Sequence, residues 1–371
     1  MTQIAKEKTS KSELPTPESG SESFSTLSQL KKVPFSTVAV GGLYLAFLII
    51  GTLSGVQLSF LIQFSIMALG MHGILVLSNV PSIQAGMGPN FALPLGVVAG
   101  HLAMVLTMGA IGLTGWTLIF VAALLSVLFG CIAGFLYGNL MNATKGSEMA
   151  IAPYMGFAIT FAFSVVWVLI PIDNVYMTFF LGDGLRTPID LTPFGAHSIF
   201  ANLLQFNLFG ITVRTGELLV LAAFCLAMWV FFRSKTGVAI SAVGANPMFA
   251  KATGLNVNRL RIIAMMISTS LGALGIIVFA QGMGILAIYD APLWMGFPAV
   301  AAVLVGGASA RRAKVHNVII GTFLFQGLLS VSMPIMTHVL PDGVDIADPI
   351  RMIVQNGIIL YALTRMIGGG K

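Results

Sequence analysis

The sequence predicts an all-α protein, a polytopic transmembrane bundle of about ten spans with both termini in the cytoplasm. Three observations carry that prediction. Hydrophobic residues make up 57% of the 371-residue chain and charged residues only 9%, too few charges to cover a water-soluble surface. Mean hydropathy is +0.94. Apolar runs recur between residues 37 and 367, each near the roughly 20 residues that a span needs. A cytosolic enzyme, a nucleic-acid binder and a disulfide-stapled secreted scaffold are excluded on the same grounds. The net charge of +6 then marks basic cytoplasmic loops, and no nucleic-acid partner is implied.

Residues 1–35 differ from everything after them. Lys6, Lys8, Lys11, Lys31 and Lys32 alternate there with Glu7, Glu13, Glu18 and Glu22 among many Ser and Thr. Such a segment buries too little apolar area to fold, so it reads as a disordered cytoplasmic tail. It does not read as a signal peptide, because the first apolar run starts near Thr37 and is long enough to span. Residues 36–371 form the transmembrane domain. Its predicted spans are 37–56, 58–77, 91–110, 116–140 and 151–172, then 215–232, 262–280, 292–308, 318–339 and 350–367.

The stretch 194–211 is ambiguous. It is apolar but holds His197, Asn202, Gln205 and Asn207, and reads as an eleventh span or an interfacial helix. Charge decides against a crossing. Without one, all of the nineteen Lys and Arg except Arg186, Arg214 and Arg351 fall on the cytoplasmic side, as the positive-inside bias requires. The loops opposite are acidic, with Asp173, Asp183, Asp190, Asp290, Asp342, Asp345 and Asp348. Trp116, Trp167, Trp229 and Trp294 fall near span ends, where an aromatic belt belongs. The outer loop 173–214 is too long for a mere connection and suits an interfacial segment, a gate or a docking surface.

Chemistry-bearing patterns are scarce. Glu217 and Arg351 are the charges nearest to span interiors, and both lie close to predicted outer ends. There is no phosphate loop, zinc-binding H-E-x-x-H pair, nucleophile elbow or carboxylate pair within a span. No catalytic residue is therefore assigned, and an ATP-driven process would need a separate hydrolytic chain. Cys131 and Cys225 sit inside apolar runs and the five His are scattered, so neither a metal site nor a cofactor is expected. Gly51 with Gly55, Gly96 with Gly100, and Gly130, Gly134 and Gly138 are spaced for close helix packing.

The cytoplasmic loop 233–261 carries the most local information. Asn246 is a good N-cap, Pro247 suits the first helical position, and Gly254 stops a helix over 248–253. Met248, Phe249 and Ala252 form an apolar face while Lys251 stays solvated. So short a helix is marginal alone. It packs either on its own membrane domain or into a groove of a partner protein.

The pattern G-V-A-I-S-A-V-G-A-N-P-x-x-A-x-x-x-G-L-N-V within 233–258 resembles permease subunits of bacterial ABC importers. That group serves ribose and other simple sugars and has nucleoside, autoinducer-2 and branched-chain amino-acid relatives. The resemblance continues at 268–275 (S-T-S-L-G-A-L-G) and 301–309 (A-A-V-L-V-G-G-A-S), and covers roughly residues 40–367. It implies a type II ABC importer-like bundle in the bacterial plasma (inner) membrane. It further implies that Gly244, Asn246, Pro247, Met248, Phe249, Ala250, Lys251 and Gly254 form a coupling helix seated in the ATP-hydrolysing ABC subunit. A second permease, identical or related, would complete the pore, and an extracytoplasmic substrate-binding protein would deliver the solute. Two stretches depart from the sugar-type pattern. The chain has Ala310–Arg311–Arg312–Ala313–Lys314 where further glycines are usual, and the stretch from Gln84 to Phe91 lacks the usual acidic residue.

Gly86 to Pro89 is a helix-breaking cluster at the start of the third span. Non-helical backbone at membrane depth is tolerated where it lines a cavity. Gln84, Asn90 and Phe91 are therefore candidate pathway residues, together with Gln326, Gln355 and Asn356; Gln63, His72 and His101 are further polar groups inside spans. Neutral amides suit an uncharged polar solute. The expected function is the permease subunit of an ATP-driven, binding-protein-dependent importer embedded in lipid. A simple sugar leads as the solute, with a nucleoside or another small metabolite as the alternative. A stand-alone facilitator is the reading from a different class.

Overall fold

The computed structural model describes residues 34–179, 184–208, 211–339 and 347–368. The tail read over 1–35 therefore lies, up to residue 33, outside the described residues. In chain order the helices are α1 (Phe35–Leu53), α2 (Leu58–Leu77), α3 (Asn79–Gln84), α4 (Leu93–Val105), α5 (Gly115–Ala143) and α6 (Glu148–Leu169). Then come α7 (Thr215–Phe231), α8 (Lys235–Ala245), α9 (Pro247–Ala252), α10 (Val257–Met283) and α11 (Ala291–Val305). The last are α12 (Val315–Gly321), α13 (Gly327–Val339) and α14 (Ala347–Gly368). Among the described residues, two π-turns interrupt the helices. Leu106–Ala110 extends α4, and Thr322–Gln326 joins α12 to α13.

Each predicted span coincides with a helix or a joined helix pair. Among the described residues, 7 helices are long and apolar enough to cross a membrane, and α7 with α8 makes an eighth if that pair, bent by 76°, is one span. The difference from about ten lies in α7, α11 and α14. Helix α11 is apolar but has only 15 residues and carries an internal Pro298, and α14 opens with Asp348 and Arg351.

The all-α expectation needs one correction. Two small antiparallel pairs are present, β1 (Ile189–Asp190) with β4 (Ile285–Leu286), and β2 (Gln205–Leu208) with β3 (Ile211–Arg214). The described residues of 194–211 are accordingly turns and paired strands, not the interfacial helix that was one option. Ser198 and Leu204 have φ of 54° and 55°, which a right-handed helix does not allow. The described residues from 177 to 194 form a packed cap. Met177, Leu185, Ile189, Leu191 and Phe194 are buried in one cluster with Leu118, Trp167 and Ile277 from the helices.

The core is built around α10. Its 27 residues run about 40 Å, and glycines bring two neighbours against it. A β-carbon at Gly100 of α4 would lie 2.4 Å from the Ala273 carbonyl oxygen, and one at Gly134 of α5 would lie 2.6 Å from the Met266 Cα. Two of the three predicted glycine groupings, 96 with 100 and 130 with 134 and 138, face α10 in this way, while Gly51 meets the side chains of Leu61 and Ile335 and Gly55 lies near His338. Backbones approach this closely only without side chains between them, and dispersion then replaces the hydrophobic drive that lipid cannot supply.

Candidate functional site

The segment between α8 and α10 is built as its local chemistry dictates. Asn246 has extended backbone, and its Oδ1 accepts a hydrogen bond from the Phe249 amide at 3.0 Å. Pro247 occupies the first turn of α9 and Gly254 closes it with φ of +84°. Ala250 is fully buried, while Met248 and Phe249 are 80% and 64% exposed. The apolar pair therefore projects away from the bundle, and its own domain does not cover it. Lys251 is exposed beside it. Asn256 then caps α10 by accepting from the Arg259 amide.

Helix α8 was not legible in the sequence, which reads as loop from Arg233 to Ala245. Gly237, Gly244 and the β-branched Val238, Ile240 and Val243 lower helix propensity there. Two signals outweigh propensity. Ser234 caps the helix, accepting from the Gly237 amide at 3.2 Å, and Ile240 and Val243 are fully buried.

Gly244, in the last turn of α8, rests against the interruption of helix that follows α3. Its position admits no side chain, since a β-carbon would meet the Gln84 carbonyl oxygen. The Gln84 side-chain amide donates in turn to the Ala313 carbonyl. Gln84 thus joins α8, the break and the basic loop that holds Arg311, Arg312 and Lys314.

The break itself, residues 85–92, carries the glycine and proline cluster. Asn90 braces it. Its backbone amide donates to Asn79 Oδ1 at 3.0 Å, its Nδ2 donates to Ser268 Oγ at 2.9 Å, and its Oδ1 accepts from the Ala92 amide. Ser268 Oγ donates onward to the Ser78 carbonyl. The Asn90 side chain is committed to these bonds. Phe91 is buried with its ring 5.7 Å from that of Phe297.

Beside the break lies a cavity of about 780 Å³. Gly86, Met87 and Gly88 form one wall, and residues 146–150, from the α5–α6 turn into the first turn of α6, form the facing one. Ser309 and Arg311 edge it, and Ser36 of α1 and Ala362 of α14 also reach it. It therefore opens at the end of the bundle that carries the Lys and Arg loops.

None of the predicted pathway residues lines this cavity: Gln84, Asn90 and Phe91 flank the break beside it, and the others lie elsewhere. Gln326 is buried in the second π-turn. Gln355 is half-buried and Asn356 exposed on α14. Of the further polar groups, Gln63 accepts from the Thr212 amide, His72 packs on the Phe279 ring, and His101 is fully buried.

The structure adds residues that the sequence reading passed over. Arg261, one turn into α10, forms an ion pair with Glu148, the first residue of α6. Their side chains are 8% and 16% exposed. Lys145 Nζ donates to Asn258 Oδ1 at 2.6 Å, and Asn142 Nδ2 donates to the Asn258 carbonyl at 2.9 Å. The available signal was positional. Glu148 and Arg261 are among very few charges abutting apolar runs assigned to the same side.

Residues 57–363 match the family described as branched-chain amino acid transport system / permease component. The chain belongs to that family. It is a multi-pass permease of the bacterial inner membrane, not an enzyme, and the expected membership of the ABC importer permeases for sugars and nucleosides is borne out. The permease is 30% identical over 153 residues, 41% of its own length, to the guanosine ABC transporter permease protein NupQ of Bacillus subtilis (strain 168). It is 26% identical over 245 residues, 66% of its length, to the nucleoside ABC transporter permease protein NupB of Lactococcus lactis subsp. cremoris (strain MG1363). A second protein of that strain, nucleoside ABC transporter permease protein NupC, is 23% identical over 269 residues, 70% of the permease and 82% of the relative. The matches span 46% and 63% of the first two relatives' own lengths.

Proposed function

We propose that the permease forms part of the translocation pathway of an ATP-driven, binding-protein-dependent importer, and that α9 is its coupling helix. One observation carries this reading. A capped helix of 6 residues holds Met248 and Phe249 out from the bundle. An apolar pair kept in that position fits a groove on another protein, where such side chains act as anchors. An ABC ATPase subunit supplies that groove, a second permease, identical or related, completes the pore, and an extracytoplasmic binding protein loads it. The basic end of the bundle is then cytoplasmic, about ten spans cross the lipid, and both termini lie inside.

The solute is a nucleoside. The names of the relatives support this over the simple sugar expected first. The cavity agrees in size and charge. Its volume falls within the range of roughly 300–1,000 Å³ usual for small-molecule sites. Its wall offers the hydroxyls of Ser36, Ser147 and Ser309, with one acidic and one basic residue, Glu148 and Arg311. That lining suits a neutral polar solute. Uptake of labelled guanosine and labelled ribose into proteoliposomes, with the cognate ATPase and binding protein, tests the reading. ATP-dependent guanosine uptake is expected. Uptake of ribose alone reassigns the solute, and uptake by this chain without ATP or partners replaces the importer with a facilitator.

A further inference from the structure

Two contacts place the walls of the cavity under the control of the helices that flank α9. On one side, Gly244 of α8 abuts the break, and a β-carbon at Gly86 would lie 2.9 Å from the Gly244 Cα. Gly86 opens the wall formed by residues 86–88. On the other side, Asn258 and Arg261 of α10 hold Asn142, Lys145 and Glu148. Glu148 belongs to the facing wall. The walls meet where Met149 lies over Gly88, with a β-carbon there only 2.5 Å from the Met149 Cε. The segment leading into α9 thus holds one wall, and the segment leading out holds the other.

We infer that the Glu148–Arg261 ion pair, with the Lys145 and Asn142 bonds to Asn258, is the link through which movement of α9 opens and closes the cavity. The inference rests on α9 being the coupling helix. The pair is largely shielded from solvent and joins the first turns of α6 and α10. Arg261 lies only seven residues beyond Gly254, so little slack separates it from α9. One guanidinium nitrogen, Nη2, donates to Glu148 Oε1, and such a charge-assisted bond is directional, as a purely apolar contact is not. Glu148 also accepts from the Gly146 amide at 2.7 Å, so a pull on its carboxylate is passed to the turn 144–147 rather than absorbed by a side-chain rotation. Glu148 and Arg261 are positioning residues here, acting through the wall on the solute.

The test uses the complete complex in proteoliposomes and reads uptake per ATP hydrolysed. Removing one partner leaves a buried unpaired charge that can prevent folding. The deciding variant is therefore the double exchange Glu148→Gln with Arg261→Met, which keeps volume and removes both charges. Expected are normal recovery of the ATPase with the permease, retained ATP hydrolysis, and solute uptake per ATP lowered about tenfold, an ordinary size for coupling between sites. The swapped pair Glu148→Arg with Arg261→Glu should restore part of that loss. Unchanged uptake per ATP in the double exchange overturns the link. Phe249→Asp keeps the two readings apart. If it leaves ATPase recovery intact, the coupling-helix assignment fails, whatever the double exchange does.

Discussion

A β-carbon at Gly244 would stand 2.0 Å from the carbonyl oxygen of Gln84 and 2.8 Å from the Gly86 nitrogen. No real atom tolerates that approach, so Gly244→Ala must push α8 off the break. Overpacking of this kind costs about 1–3 kcal/mol. The expected outcome is a lower melting temperature of the purified permease and impaired uptake, both worse in Gly244→Val. An alanine variant that melts and transports like the parent would mean that α8 does not rest on the break.

The cap on α9 sets a second outcome. Asn246→Ala removes the acceptor for the Phe249 amide. Losing such a cap costs about 1 kcal/mol, roughly a fivefold change in an equilibrium constant. Because α9 is too short to persist alone, the loss should appear as about fivefold weaker association with the ATPase. Asn246→Asp and Asn246→Ser keep an acceptor and should bind nearly as the parent does. Titrating the ATPase against permease in detergent or nanodiscs measures the series; equal affinity for all three variants would remove the cap from the explanation.

The legibility of α9 and the obscurity of its surroundings have one physical origin. Cap, proline and stop act within a few residues, so Asn246, Pro247 and Gly254 announce the helix in one dimension. The glycine spacings at 96 and 100, and at 130, 134 and 138, also show in the sequence, because helix packing repeats every few residues. The partner, α10, does not. Helix α8 hides behind poor propensity and is held by burial of Ile240 and Val243. The Glu148–Arg261 pair joins positions 113 apart, a separation on which local pattern is silent. The π-turns at Leu106–Ala110 and Thr322–Gln326 leave no compositional mark. Polarity alone also does not show what Asn90 bonds to. An amide near a helix break is a candidate to face solute, and in the structure its bonds go to Asn79, Ala92 and Ser268.

That difference can be measured. Asn90→Leu leaves the Ser268 hydroxyl and the Ala92 amide without this buried partner. Unmet buried groups cost about 1–3 kcal/mol each. A bracing residue should therefore lose thermal stability and folded yield while the concentration of solute giving half-maximal uptake stays near that of the parent. A pathway residue would do the reverse. A stable Asn90→Leu permease with a large shift in half-saturation would return Asn90 to the pathway.

Gln281 gives the last prediction, at the opposite end of α10 from the coupling segment. Its Oε1 accepts from the Phe200 amide at 3.1 Å, and its backbone carbonyl accepts from the Ser198 amide at 2.7 Å. Its Nε2 faces Glu217 Oε1 at 3.4 Å, and Gln281 and Glu217 are both fully buried. One side chain thus ties the cap to the ends of α7 and α10. Gln281→Leu keeps the bulk but withdraws the acceptor and the donor together, leaving the Phe200 amide and the Glu217 carboxyl without it. The backbone bond to Ser198 survives. The cap should then open more often, by the factor of about five to thirty that 1–2 kcal/mol represents. Limited proteolysis should cleave within 173–214 faster by that factor. Recovery of the ATPase should not change, because α9 lies about 40 Å away along α10. Cleavage at the parent's rate would show that apolar packing around Trp167 and Phe194 holds the cap without Gln281.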